Sequence, residues 1–259
     1  MAVVGSVLFL IFMALTIIPW AIVMMVGRLF LSEPVRYRIG EAWCSLMVYA
    51  LKWLCGVKWR VHGIENLPSE KNARIVVLSK HQSAWETFAL NGILQRNLVY
   101  VFKKELLNIP FFGWAIGSVD MIHIDRSARM EAMNKVAEQG SCLIDQGRWV
   151  IMFPEGTRTP RGQTVPYKSG GARIALMTKA DIVPVALSSG KCWPKGTLLK
   201  KPGMIDVVIG PVITSEGKTH HQLITEVQTW IEAQMRLIDP EAYTAEKVLC
   251  TQVKASETE

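Results

Sequence analysis

His81 and Glu86, five residues apart, are the side chains of this chain best suited to acid–base chemistry. An imidazole accepts a proton near neutral pH, and a carboxylate can orient it and stabilise its protonated form. Both follow Ile75-Val76-Val77-Leu78, an apolar run typical of a buried strand. A structural role also fits, because Ser83-Ala84-Trp85-Glu86 matches the Ser-x-x-Glu capping box that closes the start of a helix. The local pattern leaves both interpretations open.

The spacing restricts how His81 and Glu86 can meet. On a regular helix, side chains five residues apart point about 140° away from each other, given 3.6 residues per turn. The pair can therefore touch only if His81 precedes the helix and Glu86 lies in its first turn. An apolar run followed by a helix-start pattern predicts this arrangement.

A second polar cluster, Phe153-Pro154-Glu155-Gly156-Thr157-Arg158, follows another apolar run. Gly156 permits close approach of a ligand to the backbone, and the planar fork of Arg158 suits phosphate oxygens. The structural alternative is a surface turn held by an ion pair between Glu155 and Arg158. We predict a ligand-binding turn here.

Further cations follow two other predicted strands. Lys103 and Lys104 come after one, and Arg126 ends Ile122-His123-Ile124-Asp125-Arg126. For Arg126 taken alone, a salt bridge to Asp125 or a helix start would be a sufficient explanation. Three cationic clusters at successive strand ends favour an anionic ligand instead.

The elements that must position these residues alternate along the chain after residue 60. Predicted strands are Ile75–Ser79, Leu98–Phe102, Met121–Ile124, Trp149–Phe153, Ile182–Leu187 and Ile205–Ile209. Predicted helices are Ala84–Gln95, Ala128–Gln146, Gly170–Thr178 and Gln222–Leu237. This alternation predicts an α/β fold with a mostly parallel or mixed sheet flanked by helices. Since ligands collect beyond the carboxyl ends of such strands, the polar clusters should converge on one sheet edge.

The N-terminal segment is strongly apolar. Residues 1–27 carry no charge, and this length exceeds the ~20 residues that cross a bilayer. The absence of a basic start and of a small-residue cleavage site favours an uncleaved membrane anchor over a secretory signal peptide. The cations from Arg28 onward place the rest of the chain on the cytoplasmic side. Residues 34–56 show a second amphipathic helical pattern, which either lies in the membrane interface or packs on the globular domain.

The charge and cysteine content limit the classes of binding partner and the kinds of cysteine site that the chain can have. The net charge is +7, and the stretch from Arg148 to Lys201 contains ten Lys or Arg but only two acidic residues, Glu155 and Asp181. Such a stretch favours phospholipid, a phosphorylated substrate, the nucleotide of CoA or an acidic carrier protein. No nucleic-acid-binding motif supports DNA or RNA as a partner. The five scattered cysteines match neither a disulfide framework nor a zinc site, and no metal cluster is visible.

Taken together, these motifs resemble the glycerolipid acyltransferase family, specifically its bacterial 1-acyl-glycerol-3-phosphate (lysophosphatidic acid) acyltransferases. His81 to Glu86 resembles the first block, His-x4-Asp, with Glu in place of the usual Asp. The stretch from Lys103-Lys104-Glu105-Leu106 to Ile124-Asp125-Arg126 resembles the second, Phe153–Arg158 the third, and Ile182-Val183-Pro184-Val185-Ala186 the fourth. The four ordered blocks cover about residues 75–190.

The resemblance implies transfer of a fatty acyl group to the sn-2 hydroxyl of lysophosphatidic acid, giving phosphatidic acid. His81 is then the general base and Glu86 its orienting partner. The expected substrate-binding residues are Lys104, Arg126, Glu155, Gly156, Thr157 and Arg158, with Lys103 less favoured. The donor is acyl-CoA or an acyl carrier protein, and neither cofactor nor metal is expected.

The implied organisation is a membrane-anchoring helical segment over residues 1–60, an acyltransferase domain over 61–243 and a polar tail over 244–259. The expected location is the inner (cytoplasmic) membrane, with the catalytic domain on the cytoplasmic side. Two alternatives remain. The acceptor is another lipid, such as glycerol 3-phosphate or a different lyso-lipid, or the chain is a non-catalytic lipid-binding protein.

Overall fold

Alternate residues of one central strand, β2 (Ile75–Ser79), face two different layers of helices. In the computed structural model, which describes residues 2–70, 72–124 and 129–243, Ile75 and Val77 pack in one core cluster and Val76 and Leu78 in another. A strand buried on both faces reads as a continuous apolar run, which explains why this run shows no alternation.

The described residues form one mixed sheet of seven strands. They are β1 (Val57–His62), β2, β3 (Leu98–Lys103), β4 (Ile122–Ile124), β5 (Trp149–Met152), β6 (Asp181–Leu187) and β7 (Gly203–Ile209). The order across the sheet is β1-β7-β6-β2-β5-β3-β4. Every neighbouring pair is parallel except β6 and β7. The predicted fold class is confirmed.

Helices lie on both faces of the sheet. They are α1 (Ala2–Phe30), α2 (Glu33–Cys55), α3 (Trp85–Leu94), α4 (Phe112–Ile116), α5 (Arg129–Asp145), α6 (Gly170–Thr178) and α7 (His220–Ile238). Residues of α1, α2 and α3 share the first core cluster, while those of α5, α6 and α7 share the second.

Strand β1 was not predicted, and it crosses the boundary placed between residues 60 and 61. It pairs in parallel with β7, from Val57 opposite Gly203 to His62 opposite Val208. As an edge strand it carries exposed cations at Lys58 and Arg60, which the sequence pattern assigns to the flank of a membrane helix. The α/β layer therefore begins at Val57. The predicted polar tail lies outside the described residues.

Helix α1 is long and apolar enough to anchor in a membrane by length and composition. It also packs on the domain near both of its ends. The Ser6 hydroxyl accepts a 2.8 Å hydrogen bond from the Lys200 backbone N–H, and Met24 shares a small core with Ala115 of α4. At Gly5, a Cβ would lie 2.1 Å from the Leu54 carbonyl oxygen, so only glycine permits this approach of α1 to α2.

Helix α2 lies between α1 and the sheet. Its Trp43, Met47 and Leu51 side chains are buried in the first core cluster, whereas Trp53 is 78% exposed. Of the two interpretations of residues 34–56, packing on the domain is correct for the buried face. Trp43 also stacks on Trp20 of α1 with ring centroids 4.5 Å apart, which joins the two helices.

Candidate active site

The predicted polar clusters meet because β2, β5 and β3 are neighbours in the sheet and run parallel. His81 follows β2, the turn at Phe153–Arg158 follows β5, and Lys103 ends β3. Their carboxyl ends therefore open on the same edge of the sheet, as expected for a ligand site in an α/β fold.

His81 precedes α3, and Glu86 lies in the first turn of that helix. The His81 Nδ1 atom is 3.9 Å from Glu86 Oε1, and the Glu86 side chain is fully buried. Among the described residues, His81 Nδ1 has no hydrogen-bond partner. The geometry leaves the imidazole beside a buried carboxylate, at a distance that a small movement would shorten to a hydrogen bond.

The Glu86 carboxylate also serves the helix start. Its Oε1 atom accepts hydrogen bonds from the backbone N–H groups of Gln82 at 2.6 Å and Ser83 at 2.9 Å. The Ser189 hydroxyl, from the turn after β6, donates a third at 2.8 Å. The capping interpretation and the catalytic interpretation are thus compatible, because one carboxylate fills both positions.

The imidazole of His81 lies flat against a ring. Its centroid is 3.9 Å from that of Phe153, with an interplanar angle of 15°. Phe153 precedes the Glu155–Arg158 turn, so this contact joins the first and third sequence motifs directly. It fixes the plane of the imidazole.

A cavity of about 860 Å³ opens beside His81. Its deep walls are formed mainly by apolar side chains of α1, α2, α4 and the segments near them, among them Trp20, Met24, Trp43, Phe112, Ala115 and Met121. Burial raises the pKa of Tyr100 well above its usual range and that of Cys44 to about 12, so these two wall residues stay neutral. The cavity therefore suits a hydrocarbon chain.

Cationic side chains line the same cavity at the strand ends: Lys103, Arg158, Lys168 and Arg173. Lys103 pairs with Glu105 at 2.9 Å, and Arg173 Nη2 lies 3.0 Å from His220 Nε2. Within the part of the chain that the structure describes, Arg158 and Lys168 form no ion pair with a carboxylate. These two are the cations best placed to bind an anionic group.

Gly156 makes room for one of these cations. Its φ is +73°, and a Cβ at this position would lie 2.7 Å from Lys168 Nζ. The Lys168 backbone N–H donates to the Pro154 carbonyl at 2.8 Å, which holds that residue over the turn. Glycine is therefore required here for its backbone conformation, and its missing side chain leaves room for the Lys168 ammonium.

These features, a histidine between an apolar cavity and a cationic edge, coincide with a match to known proteins. The model of the acyltransferase family matches residues 58–188. The chain belongs to the acyltransferase family. The 1-acyl-sn-glycerol-3-phosphate acyltransferase of Pseudomonas aeruginosa is 39% identical over 209 residues, 79% of this chain and 80% of that protein. The predicted resemblance is confirmed, and with it the interpretation of the chain as an enzyme.

More distant members of the acyltransferase family are also similar to this chain in sequence or in fold. The human 1-acyl-sn-glycerol-3-phosphate acyltransferase alpha is 31% identical over 175 residues, 67% of this chain and 61% of that protein. The crystal structure of the 1-acyl-sn-glycerophosphate acyltransferase from Thermotoga maritima matches with a TM-score of 0.75, over 91% of this chain and 95% of that one. At 19% identity, this last likeness concerns the fold.

Not every predicted substrate-binding residue lies along the cavity of this acyltransferase. His81, Gly156 and Arg158 line it, and so does Lys103, which the sequence pattern favours less than Lys104. Lys104 and Thr157 are exposed and do not line it. Arg126 lies outside the described residues, and its role stays a prediction.

Glu155 has a different place from the predicted one. Its side chain is buried and points away from the cavity, where its Oε2 atom accepts the His81 backbone N–H at 2.7 Å. Burial raises the pKa of this carboxyl, and the neighbouring Lys80 ammonium partly offsets the increase. The sequence pattern suggests substrate contact because Glu155 stands beside residues that do line the cavity.

Several site residues escape prediction from the sequence. Lys168 and Arg173 belong to the basic stretch already noted, and the Gly170-Gly171 pair that separates them was the available signal. Ser189 and Lys80 carry no motif of their own. Among the described residues, no three His, Cys, Asp or Glu side chains are arranged to hold a metal ion. The independence from metal and cofactor stays a prediction.

Proposed function

We propose that this acyltransferase moves a fatty acyl group from a thioester donor, acyl-CoA or an acyl carrier protein, to the sn-2 hydroxyl of lysophosphatidic acid. The observation that carries the proposal is that His81 lines an apolar cavity of about 860 Å³ together with Arg158 and Lys168, two cations that form no ion pair with a carboxylate of the described residues. Lysophosphatidic acid offers a hydroxyl between a hydrocarbon chain and a phosphate. The names of the relatives, which are acyltransferases for this acceptor, support the assignment.

In this reaction the His81 imidazole accepts the proton of the hydroxyl while the oxygen attacks the thioester carbonyl carbon. With Nδ1 facing Glu86, the other ring nitrogen, Nε2, is left for the substrate. The Glu86 carboxylate stabilises the imidazolium that forms. When the carbon–sulfur bond breaks, the departing thiolate takes this proton, and no acyl-enzyme is formed.

The acceptor phosphate binds at the edge of the sheet. Arg158 and Lys168 supply the charge-assisted hydrogen bonds, and Lys103 and Arg173 add positive potential. The acyl chains occupy the apolar part of the cavity, between α1, α2 and α4. This separation places the reacting hydroxyl at His81.

The proposed location rests on α1. Its contacts at Ser6 and Met24 are 18 residues apart, about 27 Å along a helix that rises 1.5 Å per residue. A helix held to the domain over this length lies along the membrane interface rather than across the bilayer. The exposed Arg28 and Arg38 beside it favour a leaflet rich in anionic lipid, such as the cytoplasmic face of the inner membrane. Substrates then enter the cavity from the lipid phase.

His81→Ala should lower kcat by about 10²–10⁴-fold, the usual contribution of a general base. Transfer of labelled acyl groups from acyl-CoA and from acyl carrier protein should be measured in parallel with lysophosphatidic acid. His62→Ala is the matched control, because His62 is an exposed histidine on the edge strand β1. Unchanged turnover in the folded His81 variant would exclude His81 as the base.

Arg158→Ala should raise KM for lysophosphatidic acid about 10–100-fold, since a hydrogen bond to a charged group contributes ~1.5–3 kcal/mol. Lys168→Ala should act in the same direction. A lyso-lipid without a terminal phosphate is the control acceptor, and its KM should hardly change. An equal increase of KM for both acceptors would contradict phosphate binding at this edge.

A further inference from the structure

Lys80, the residue before His81, is a lysine with no exposed surface. Its Nζ atom lies 2.6 Å from Glu155 Oε1 and 2.6 Å from Glu232 Oε1. Both carboxylates are nearly or completely buried. A lysine between two buried carboxylates is thus placed directly beneath the candidate base.

One side of this cluster is anchored far along the chain. Glu232 lies on α7, and its carboxylate also accepts hydrogen bonds from the Tyr167 hydroxyl at 2.8 Å and the Thr164 hydroxyl at 2.7 Å. The position of Lys80 is therefore set by α7 and by the segment that precedes α6.

The other side of the cluster holds the backbone of His81. Glu155 Oε2 accepts the His81 N–H, and Glu155 Oε1 accepts the Thr159 hydroxyl at 2.5 Å. The Thr159 N–H donates to the His81 carbonyl at 2.8 Å, and the Thr159 hydroxyl oxygen lies 3.0 Å from the same carbonyl. The His81 N–H is thus bound by Glu155 itself, and the His81 carbonyl is bound by Thr159, which Glu155 holds in turn.

Stability alone is a poor explanation for this arrangement. Removing an ammonium and two carboxylates from water is costly, and buried ion pairs often stabilise a fold no more than apolar residues of similar volume. The contacts instead restrain the one residue whose position the reaction depends on. We propose that Lys80 and Glu232 are positioning residues, which hold His81 at reacting distance through Glu155 and couple it to helix α7.

The inference rests on the proposed role of His81 as the base, and Lys80→Met tests it. Methionine keeps an unbranched side chain that is one atom shorter, but it removes the cation that orders Glu155. Because misplacement of a reacting group by about 1 Å costs on the order of 10²-fold, we expect kcat to fall about 10–100-fold. KM for lysophosphatidic acid should stay unchanged, since Lys80 touches neither the cavity nor its cations.

Arg161→Met is the matched control. It removes the guanidinium that binds the buried carboxylate of Asp239, just after α7, through hydrogen bonds of 2.6 and 2.7 Å. No described contact links Arg161 to His81. We expect a lower midpoint of thermal unfolding with kcat unchanged.

The double variant Lys80→Met with Glu232→Gln separates positioning from stability. In Lys80→Met, two carboxylate oxygens that each lay 2.6 Å from Nζ face each other without a cation. Glu232→Gln removes one charge and keeps one carbonyl oxygen, which can accept from either the Tyr167 or the Thr164 hydroxyl, so the unfolding midpoint should recover toward that of the wild type. The value of kcat should stay low, because the double variant still has no ammonium at position 80 to hold Glu155.

Recovery of kcat together with the unfolding midpoint would overturn the proposal, and so would a wild-type kcat in Lys80→Met. If Lys80→Met does not fold, Glu232→Gln alone carries the test, with a lower kcat at constant KM expected and a wild-type kcat contradicting it. His81→Ala distinguishes the role of His81 as the base from the positioning role of Lys80 and Glu232. An inactive His81→Ala beside a fully active Lys80→Met refutes only the positioning role, whereas activity in both refutes the base.

Discussion

At the scale of single residues, the structure explains how a glutamate serves where the family usually has aspartate. Glu86 Oε1 accepts three hydrogen bonds, two from the backbone before α3 and one from Ser189. The longer side chain reaches back from the first helical turn to these donors while staying 3.9 Å from His81 Nδ1. The carboxylate is therefore rigid and close to the imidazole at the same time.

Glu86→Gln should lower kcat by about tenfold, which corresponds to ~1.4 kcal/mol of lost stabilisation of the imidazolium. The amide oxygen can still accept the three hydrogen bonds, so the protein should fold and KM should change little. The kinetic constants should be compared with those of His81→Ala, which removes the base itself and must be more severe. An equal loss in both variants would mean that Glu86 does more than orient His81.

At the scale of elements, α1 has two faces with different tasks. One face packs on α2 and α4 through small and apolar residues, among them Gly5 and Met24. The other is a row of exposed apolar side chains at helical spacing, Val4, Leu8, Ile11, Leu15, Ile18 and Ile22. An apolar row of this length on a helix that is already packed is the surface that we propose enters the membrane interface.

Replacing both Ile11 and Leu15 by glutamine should weaken binding to phospholipid vesicles by at least tenfold, since each apolar side chain withdrawn from lipid costs ~1.5–3 kcal/mol. Glutamine is chosen because it adds no charge that would attract or repel lipid head groups. Co-sedimentation with vesicles measures the effect. Leu237→Gln is the control, because Leu237 is 71% exposed at the end of α7, against 70% for Leu15. Equal losses in both variants would contradict the assignment of α1.

At the scale of the whole molecule, the site depends on the order of the strands. The chain visits β2, β3 and β5 in sequence, but in the sheet β5 lies between β2 and β3. The turn after β5 is thereby placed beside His81, where Phe153 stacks on the imidazole. The cavity is completed from outside the sheet by α1, α2 and α4, so the proposed membrane anchoring and the proposed binding of the acyl chain use the same helices.

The amino-acid sequence determined much of this by itself. Apolar runs predict β2, β3, β5 and β6 nearly to the residue, because strands buried on both faces require such runs. The order of the motifs predicts the family, and the capping pattern predicts that Glu86 lies in the first helical turn beside His81. These features are local, and neighbouring residues are enough to specify them.

The tertiary structure decided what depends on residues distant along the chain. It moved Glu155 from the substrate to the support of His81, because a fully buried Lys80 and Glu232 on α7 meet it there. It added Lys168 to the proposed anion-binding site, because the turn at Gly156 leaves space for the Lys168 ammonium. It also laid α1 along the domain, since Ser6 and Met24 find partners about 190 and 90 residues away. These positions are set by packing between segments that are distant along the chain. A local sequence pattern cannot predict which of these segments pack together.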